Sequence, residues 1–439
     1  MKFGFDKYVQ IEGTIPEYPL PNALVLADEV PRTYGELRKY NVYSSLFKQD
    51  LNYSDFNFGH DTVDNLIKKD EYFVYPILIT NTGEFHNISR EEIYNFSNNL
   101  LKAVRRGKAK ILLSYLFEGD FYRYRDIEAI NNFSKKYDLG KKDVIVLTNN
   151  LKFKYKPLPG SNFITIPFNY FLANPWFYKQ DFLENKIDKQ SGVVLLDKLS
   201  YLKTYTKPKK FLSLNRRPRL HRILLFTEIM KDPILKENCI ISMGNSNLES
   251  LSVDENNTWL KLYNTHIPDS YSHNKQTGID FLNKYDSGRD CFVDSNLEYN
   301  LAYNFNETLH LNTFVNVLTE TLFENDTVFL SEKIFKPILG CQPFIVFGNP
   351  GIIQELKNIG FKTFSNFWDE SYDQELDLSK RLEKIITILK NLAVKSDQEL
   401  LEMTKQMLPI LEHNYQYIRL AARDEVYKLK KTLDGQFNS

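Results

Sequence analysis

Glu320, Glu332, Lys333 and Lys336 bring two carboxylates and two ammonium groups into one stretch, residues 314–372. It reads FVNVLTETLFENDTVFLSEKIFKPILGCQPFIVFGNPGIIQELKNIGFKTFSNFWDESY. Ammonium groups neutralise phosphate oxygens, and carboxylates accept hydrogen bonds from ribose or sugar hydroxyls. The mixture suits an anionic ligand with a hydroxylated part. Glu332 and Lys336 also stand four apart, so a helix-surface ion pair worth about 0.2–0.5 kcal/mol is the plain alternative. A second constellation is the turn NRRPRLHR at 215–222, whose four arginines (Arg216, Arg217, Arg219, Arg222) precede a helical run. Guanidinium groups match phosphate oxygens in a two-pronged fork, and a helix start adds amides to the same anion. A solvated basic loop or a nucleic-acid contact is the alternative there. The third is Glu118, with Asp120 beside it, just past the buried-type run KILLSYL. A carboxylate in that position is a candidate general base, or an ordinary loop acid before Gly119.

The elements that must position these groups alternate. Tyr72–Thr80, Lys110–Leu116 and Asp143–Leu147 read as strands, Arg125–Tyr137 as a helix, and Leu24–Leu26 as a weak strand. Ser89 and Glu92 form a capping box, which predicts a helix carrying Phe96, Leu100 and Val104. Further on, Phe211–Leu214, Cys239–Ser242, Phe314–Leu318 and Pro343–Phe347 are strand-like, with helical runs at His221–Met230, after Ser331 and from Ile352. Alternating strands and helices predict parallel sheets, with ligands beyond the carboxyl ends of the strands and near helix N-termini. The lysine-rich stretch 199–210 is the expected junction between two domains, 1–205 and 206–439. Residues 396–433 read as one or two amphipathic helices able to pack back across the first domain. The expected fold is α/β, with two Rossmann-like domains facing a cleft.

Composition limits the function classes. The chain has 439 residues, 42% hydrophobic, with 56 basic and 56 acidic side chains. Balanced charge gives no support to strong non-specific nucleic-acid binding, although Arg105, Arg106, Lys108 and Lys110 form a local basic cluster. Cys239, Cys291 and Cys341 have no metal spacing and fit free thiols in a reducing compartment. No apolar run approaches the ~18 residues of a membrane span, and MKFGFDKYVQIEG lacks an apolar leader, so a cytoplasmic location is expected. A phosphate-binding GxxxxGK[ST] loop is absent, and no GxGxxG follows a strand, which counts against P-loop and nicotinamide enzymes.

Four short motifs, in order, carry a resemblance: FLSLN with Arg222 heading HRILLFTEI; Thr319, Glu320, Thr321; Ser331, Glu332, Lys333; and PFIVFGNPG. Together, over Lys209 to Tyr372, they resemble the donor-binding domain of the fucosyltransferase-like glycosyltransferases of the GT-B class. That family has Glu-Asn-Ser and Thr-Glu-Lys where this chain has changed Asn and Ser at the second motif and Ser for Thr at the third. The phrases FLSLNRRPRLHR, SEKIFKP and GFKTFSNFWDESYD also resemble a group of phage-encoded glycosyltransferase-like proteins. The resemblance implies a nucleotide-sugar donor, with Arg222 and Lys333 on its diphosphate and Glu320 and Glu332 on its hydroxyls. Asn215, Arg217, Thr319, Ser331 and Lys336 complete the implied donor set. It implies an inverting displacement with Glu118 as base. No Asp-x-Asp occurs, so no metal or other cofactor is expected. The acceptor stays open among a hydroxymethylated pyrimidine in phage DNA (which would put the protein in the host cytoplasm), a glycan and a small molecule. A non-catalytic nucleic-acid-binding protein using 215–222 is the rival reading. The sugar, the nucleotide base and the oligomeric state are not specified by these residues.

Overall fold

The computed structural model describes residues 2–5, 7–11, 23–27, 59–79, 96–116, 124–154, 158–173, 209–215, 218–243, 260, 263, 271–284, 307–323 and 326–437. The chain divides into two compact units, Met1–Pro175 with Asp326–Phe329 and Arg419–Ser439, and Trp176–Asn325 with Leu330–Ile418. The junction expected at 205/206 lies outside the described residues.

The first unit contains β1 (Lys2–Phe5), β2 (Lys7–Ile11), β3 (Ala23–Ala27), β4 (Gly59–Thr62), α1 (Val63–Lys68) and β5 (Phe73–Ile79). It continues with α2 (Asn98–Arg105), β6 (Ala109–Tyr115), α3 (Tyr124–Lys136), β7 (Val144–Thr148), β8 (Ile164–Pro167) and α4 (Tyr170–Ala173). Six strands form a parallel sheet in the order β4-β1-β5-β6-β7-β8, while β2 and β3 pair separately. All of β6 and β7 is buried, which is why these runs are apolar without alternation. The helix expected from Ser89 differs. Among the described residues it begins at Asn98, where Ser97 accepts the amide of Leu100 at 3.1 Å. Phe96 precedes it and packs edge-on against Phe133 and Tyr137. Ser97 serves as the cap because its side chain reaches the third amide on; the capping box expected at Ser89 and Glu92 lies outside the described residues.

The second unit contains β9 (Lys209–Asn215), α5 (Leu220–Lys231), α6 (Pro233–Asn238), β10 (Cys239–Met243), α7 (Ser272–Lys284) and α8 (Glu307–Leu311). Then come β11 (Thr313–Thr319), α9 (Glu332–Leu339), β12 (Phe344–Phe347), α10 (Ile352–Ile359), α11 (Leu378–Ala393) and α12 (Asp397–Gly435). Its sheet is parallel, in the order β10-β9-β11-β12. β11 and β12 are buried along their whole length. Leu378, Leu382, Ile385, Leu389 and Leu392 bury one face of α11, at the three-and-four spacing of an amphipathic helix. α12 is one helix that runs through Pro409, and its residues from Arg419 count with the first unit. There Glu425 accepts the amide of Asn169 at 2.8 Å, and the ring of Phe437 lies 5.5 Å from that of Tyr72. No helix among the described residues is long and apolar enough to cross a membrane.

Candidate functional site

The second sheet changes winding direction between β9 and β11. β10 flanks β9 on one side, and the chain then returns to lay β11 on the other. In open α/β sheets the crevice beyond such a pair of carboxyl ends takes the ligand. β9 ends on Asn215 and β11 on Thr319, and the Thr319 hydroxyl donates to the Asn215 side-chain carbonyl. The Asn215 amide donates in turn to Ser213 Oγ and to the Ser242 carbonyl, both at 3.2 Å. One asparagine thereby ties the ends of β9, β10 and β11 together.

Glu320 follows directly and is fully buried. Its amide donates to the Phe347 carbonyl of β12 at 3.1 Å. Its carboxylate accepts the Ser331 hydroxyl, the Ser331 amide at 3.3 Å and the Thr321 amide at 3.3 Å. Burial pushes this carboxyl above its ordinary range, against the pull of Lys333 and the Ser331 hydroxyl. Room for it depends on Gly348, where a Cβ would stand 2.7 Å from the Glu320 Cβ and 2.9 Å from Ile352 Cδ1. The glycine after β12 is therefore a close-approach position.

The Glu320 carbonyl is held from α5. His221 Nε2 lies 2.8 Å from it and Arg222 Nη2 donates to it at 3.2 Å. The imidazole is fully buried, 4.7 Å from the ring of Phe323 and 5.8 Å from that of Phe347. Burial, reinforced by the neighbouring Arg222 charge, holds its pKa well below the usual histidine value. The ring is thus neutral, with Nε2–H as donor and Nδ1 left without a partner. The sequence reading missed His221. The available signal was its place in a helix apolar nearly all round, where a histidine must be buried and neutral.

Ser331 links this buried core to the more open side. Its hydroxyl caps α9 by accepting the Lys333 amide at 3.3 Å. Lys333 Nζ sits 3.1 Å from Thr321 Oγ1, 3.3 Å from Ser331 Oγ and 2.8 Å from Glu332 Oε1. The Lys333 and Glu332 side chains keep 26% and 15% of their surface in solvent, so both are reachable. Burial raises the Glu332 pKa, but Lys333 and Lys336 together outweigh it and hold the carboxyl below its ordinary value. Burial also pushes the Lys336 ammonium down to about 8, with Glu332 opposing. The pairing of Glu332 is thus shared between the adjacent Lys333 and the lysine four residues on. The result is a half-buried patch of one carboxylate and two ammonium groups, seated on a carboxylate and an arginine that solvent scarcely reaches.

The α10 N-terminus at this edge is already taken, while Arg219 at the start of α5 makes no side-chain cap. Asp373 accepts the α10 amides of Ile353 at 2.9 Å and Gln354 at 3.0 Å, and its own carbonyl accepts the Gly351 amide at 2.8 Å. Gly351, at φ +88°, makes the left-handed turn into that helix. Arg381 of α11 is buried and fastens this turn by donating to the carbonyls of Gly348 and Phe323. The expectation that helix amides meet a ligand here is thus corrected for α10, where an internal carboxylate occupies them. Lys333 and Lys336 supply cationic side chains at the same edge.

The sheet edge brings Asn215, Arg222, Thr319, Glu320, Ser331, Glu332, Lys333 and Lys336 together; Glu118, Asp120 and Arg217 lie outside the described residues. Among those residues no three of His, Cys, Asp and Glu gather as metal ligands. The arginine-rich turn is not a free basic surface at its C-terminal end, because Arg222 is buried on the Glu320 carbonyl. In the cluster at 105–110, Arg105 donates to the Tyr137 carbonyl, Lys108 pairs with Asp70 at 2.8 Å, and buried Lys110 donates to the Lys142 carbonyl.

No protein-family model and no curated protein matches the chain. Among solved structures, the N-terminal domain of Candida albicans trehalose-6-phosphate phosphatase is 12% identical, covering 93% of this chain and 83% of that one at a TM-score of 0.36. An alpha1,3-fucosyltransferase is 11% identical, covering 78% of this chain and 91% of that one at a TM-score of 0.29. At those scores neither likeness defines a shared fold.

Proposed function

We propose that the chain is a glycosyltransferase that takes a nucleotide-sugar donor at the β9/β11 carboxyl edge and passes its sugar to an acceptor hydroxyl. One observation carries the reading: Lys333 and Glu332, largely buried but still reached by solvent, sit at the winding reversal of a parallel sheet on a buried Glu320–Ser331 base. Groups whose pKa values burial and close charges perturb cluster at functional sites, and Glu320, Glu332 and Lys336 are such groups. Lys333, supported by Lys336, neutralises the diphosphate as the glycosidic C–O bond breaks and negative charge grows on the leaving oxygen. Glu332 accepts from ribose or sugar hydroxyls. Arg222 and His221 act at one remove by fixing the Glu320 carbonyl, while Asn215 and Thr319 fix the strand ends. Ammonium groups fill the charge-neutralising role, so the reaction proceeds without a metal ion. Glu118, with Asp120 as its neighbour, is the base that deprotonates the acceptor in an inverting displacement. The acceptor is a glycan, with a modified pyrimidine in DNA as the other candidate; the paired state of the 105–110 cluster favours the glycan.

The test measures nucleoside diphosphate released from UDP-, GDP-, CDP- and ADP-sugars, with and without EDTA. One donor is consumed and EDTA changes nothing. Lys333→Ala raises the KM for that donor, whereas Glu118→Gln lowers kcat. Full turnover in Glu118→Gln moves the base elsewhere, and no consumption of any donor removes the reading.

A further inference from the structure

The phrase GFKTFSNFWDESYD, singled out in the sequence, reaches the donor edge only through Asp373. Its residues Phe367, Trp368 and Asp369 instead wall a cavity of about 540 Å³ against α11. That size lies within the range of small-ligand sites, roughly 300–1,000 Å³. Trp368 and Asp369 also border a second cavity of about 300 Å³ beside the start of α10. The larger cavity is floored by Phe367, Trp368, Ile388 and Leu392. Along α11 its rim runs through Lys380, Glu383, Lys384, Thr387 and Asn391, a single stripe at three-and-four spacing, with Lys395 two residues past the helix end. At 1.5 Å per residue the helical stripe from Lys380 to Asn391 is about 16 Å long, which suits a short extended chain better than one compact molecule.

We infer that this groove is a second binding site, for a neutral oligosaccharide. Its charged lining balances, with Lys380, Lys384 and Lys395 against Asp369, Glu375 and Glu383. Lys384 and Glu375 already pair at 3.6 Å, so neither a polyanion nor a polycation finds a field of one sign. The rim alternates donors and acceptors over an aromatic and aliphatic floor. A sugar chain uses both, laying its C–H faces on rings and its hydroxyls on carboxylate, amide and ammonium groups. A peptide is served less well, because the helix wall has its backbone amides bonded internally and presents no strand edge to pair with. Trp368 itself is buried and leans on Phe364, with ring centroids 5.2 Å apart, so it fixes the floor while half-buried Phe367 offers the ring. The inference does not rest on the donor reading, since this site lies away from Lys333 and its binding is read without any nucleotide.

The experiment probes full-length protein on an array of neutral glycans that also carries sulfated glycans and peptides, and follows positives by calorimetry. Thr387 is exposed on α11, so Thr387→Arg fills the groove without disturbing the core. Neutral oligosaccharides bind the native chain, and Thr387→Arg weakens them roughly tenfold or more at an unchanged melting temperature. Asn391→Ala, also on the exposed rim, weakens them by less. Binding only to sulfated glycans or peptides, no binding at all, or equal affinity in Thr387→Arg overturns the proposal. Nucleotide binding is measured on the same variants, so failure here is distinct from failure of the donor site.

Discussion

The two sheets are wound alike yet finish their strands in opposite ways. In the first, neutral amides close the carboxyl edge among the described residues, outside which Glu118 and Asp120 lie. Asn149 donates to the Leu116 carbonyl at 3.0 Å and accepts the Tyr170 amide at 3.3 Å. Asn150 accepts the amides of Lys152 at 3.1 Å and Val328 at 3.2 Å, and donates to the Asp326 carbonyl at 3.2 Å. Asn169 accepts the Leu172 amide at 3.2 Å. A carboxamide can donate and accept at once and has no charge to desolvate, so it is suited to pinning buried loops. In the second sheet Asn215 does the same, but Glu320, Glu332, Lys333 and Lys336 stand around it. Among the described residues, the first edge is thus held by carboxamides alone, whereas the second adds two carboxylates and two ammonium groups to its asparagine.

Variants can break that contrast. The largest effect expected is on binding: Lys333→Ala weakens nucleotide-sugar affinity by about 1.5–3 kcal/mol, the worth of a charge-assisted hydrogen bond, while the melting temperature scarcely moves. Calorimetric titration beside a thermal melt checks both halves. Asn150→Ala is the mirror case. It leaves two amides and a carbonyl short of partners and costs about 2–3 kcal/mol of stability, with donor affinity intact. Gly348→Ala sets a methyl against Glu320 and costs about 1–3 kcal/mol; if its melt matches the native protein, the close packing at β12 is wrong. The smallest effect is a pH dependence. Lys336 is charged below about 8 and neutral above, so donor affinity falls as pH rises through that value, with the midpoint moved upward by the bound anion. Lys336→Arg keeps its charge and flattens the profile.

Much of the fold was legible because buried parallel strands announce themselves as apolar runs. β6, β7, β11 and β12 stand within a residue or two of their expected bounds. Ser331 was readable as a helix opener, since a cap acts within three residues. What escaped was the partnership of groups far apart in the chain. Glu320 meets Ser331 across a loop, His221 meets the Glu320 carbonyl from another helix, and Asp373 reaches back to α10. None of these leaves a periodic trace. Ser97 caps the helix that carries Leu100 and Val104, and the expected capping box at Ser89 and Glu92 lies outside the described residues.

The central claim is that the second edge binds a nucleotide sugar through Lys333. It is tested most directly by thermal melts of native and Lys333→Ala protein with UDP, GDP, CDP, ADP and their sugar conjugates, in the absence of added metal. One nucleotide series stabilises the native protein, by about 2.7 kcal/mol at a hundred times its dissociation constant, and stabilises Lys333→Ala by only about 0.3–1.3 kcal/mol at the same concentration. No shift with any compound, or the same shift in both proteins, contradicts the account.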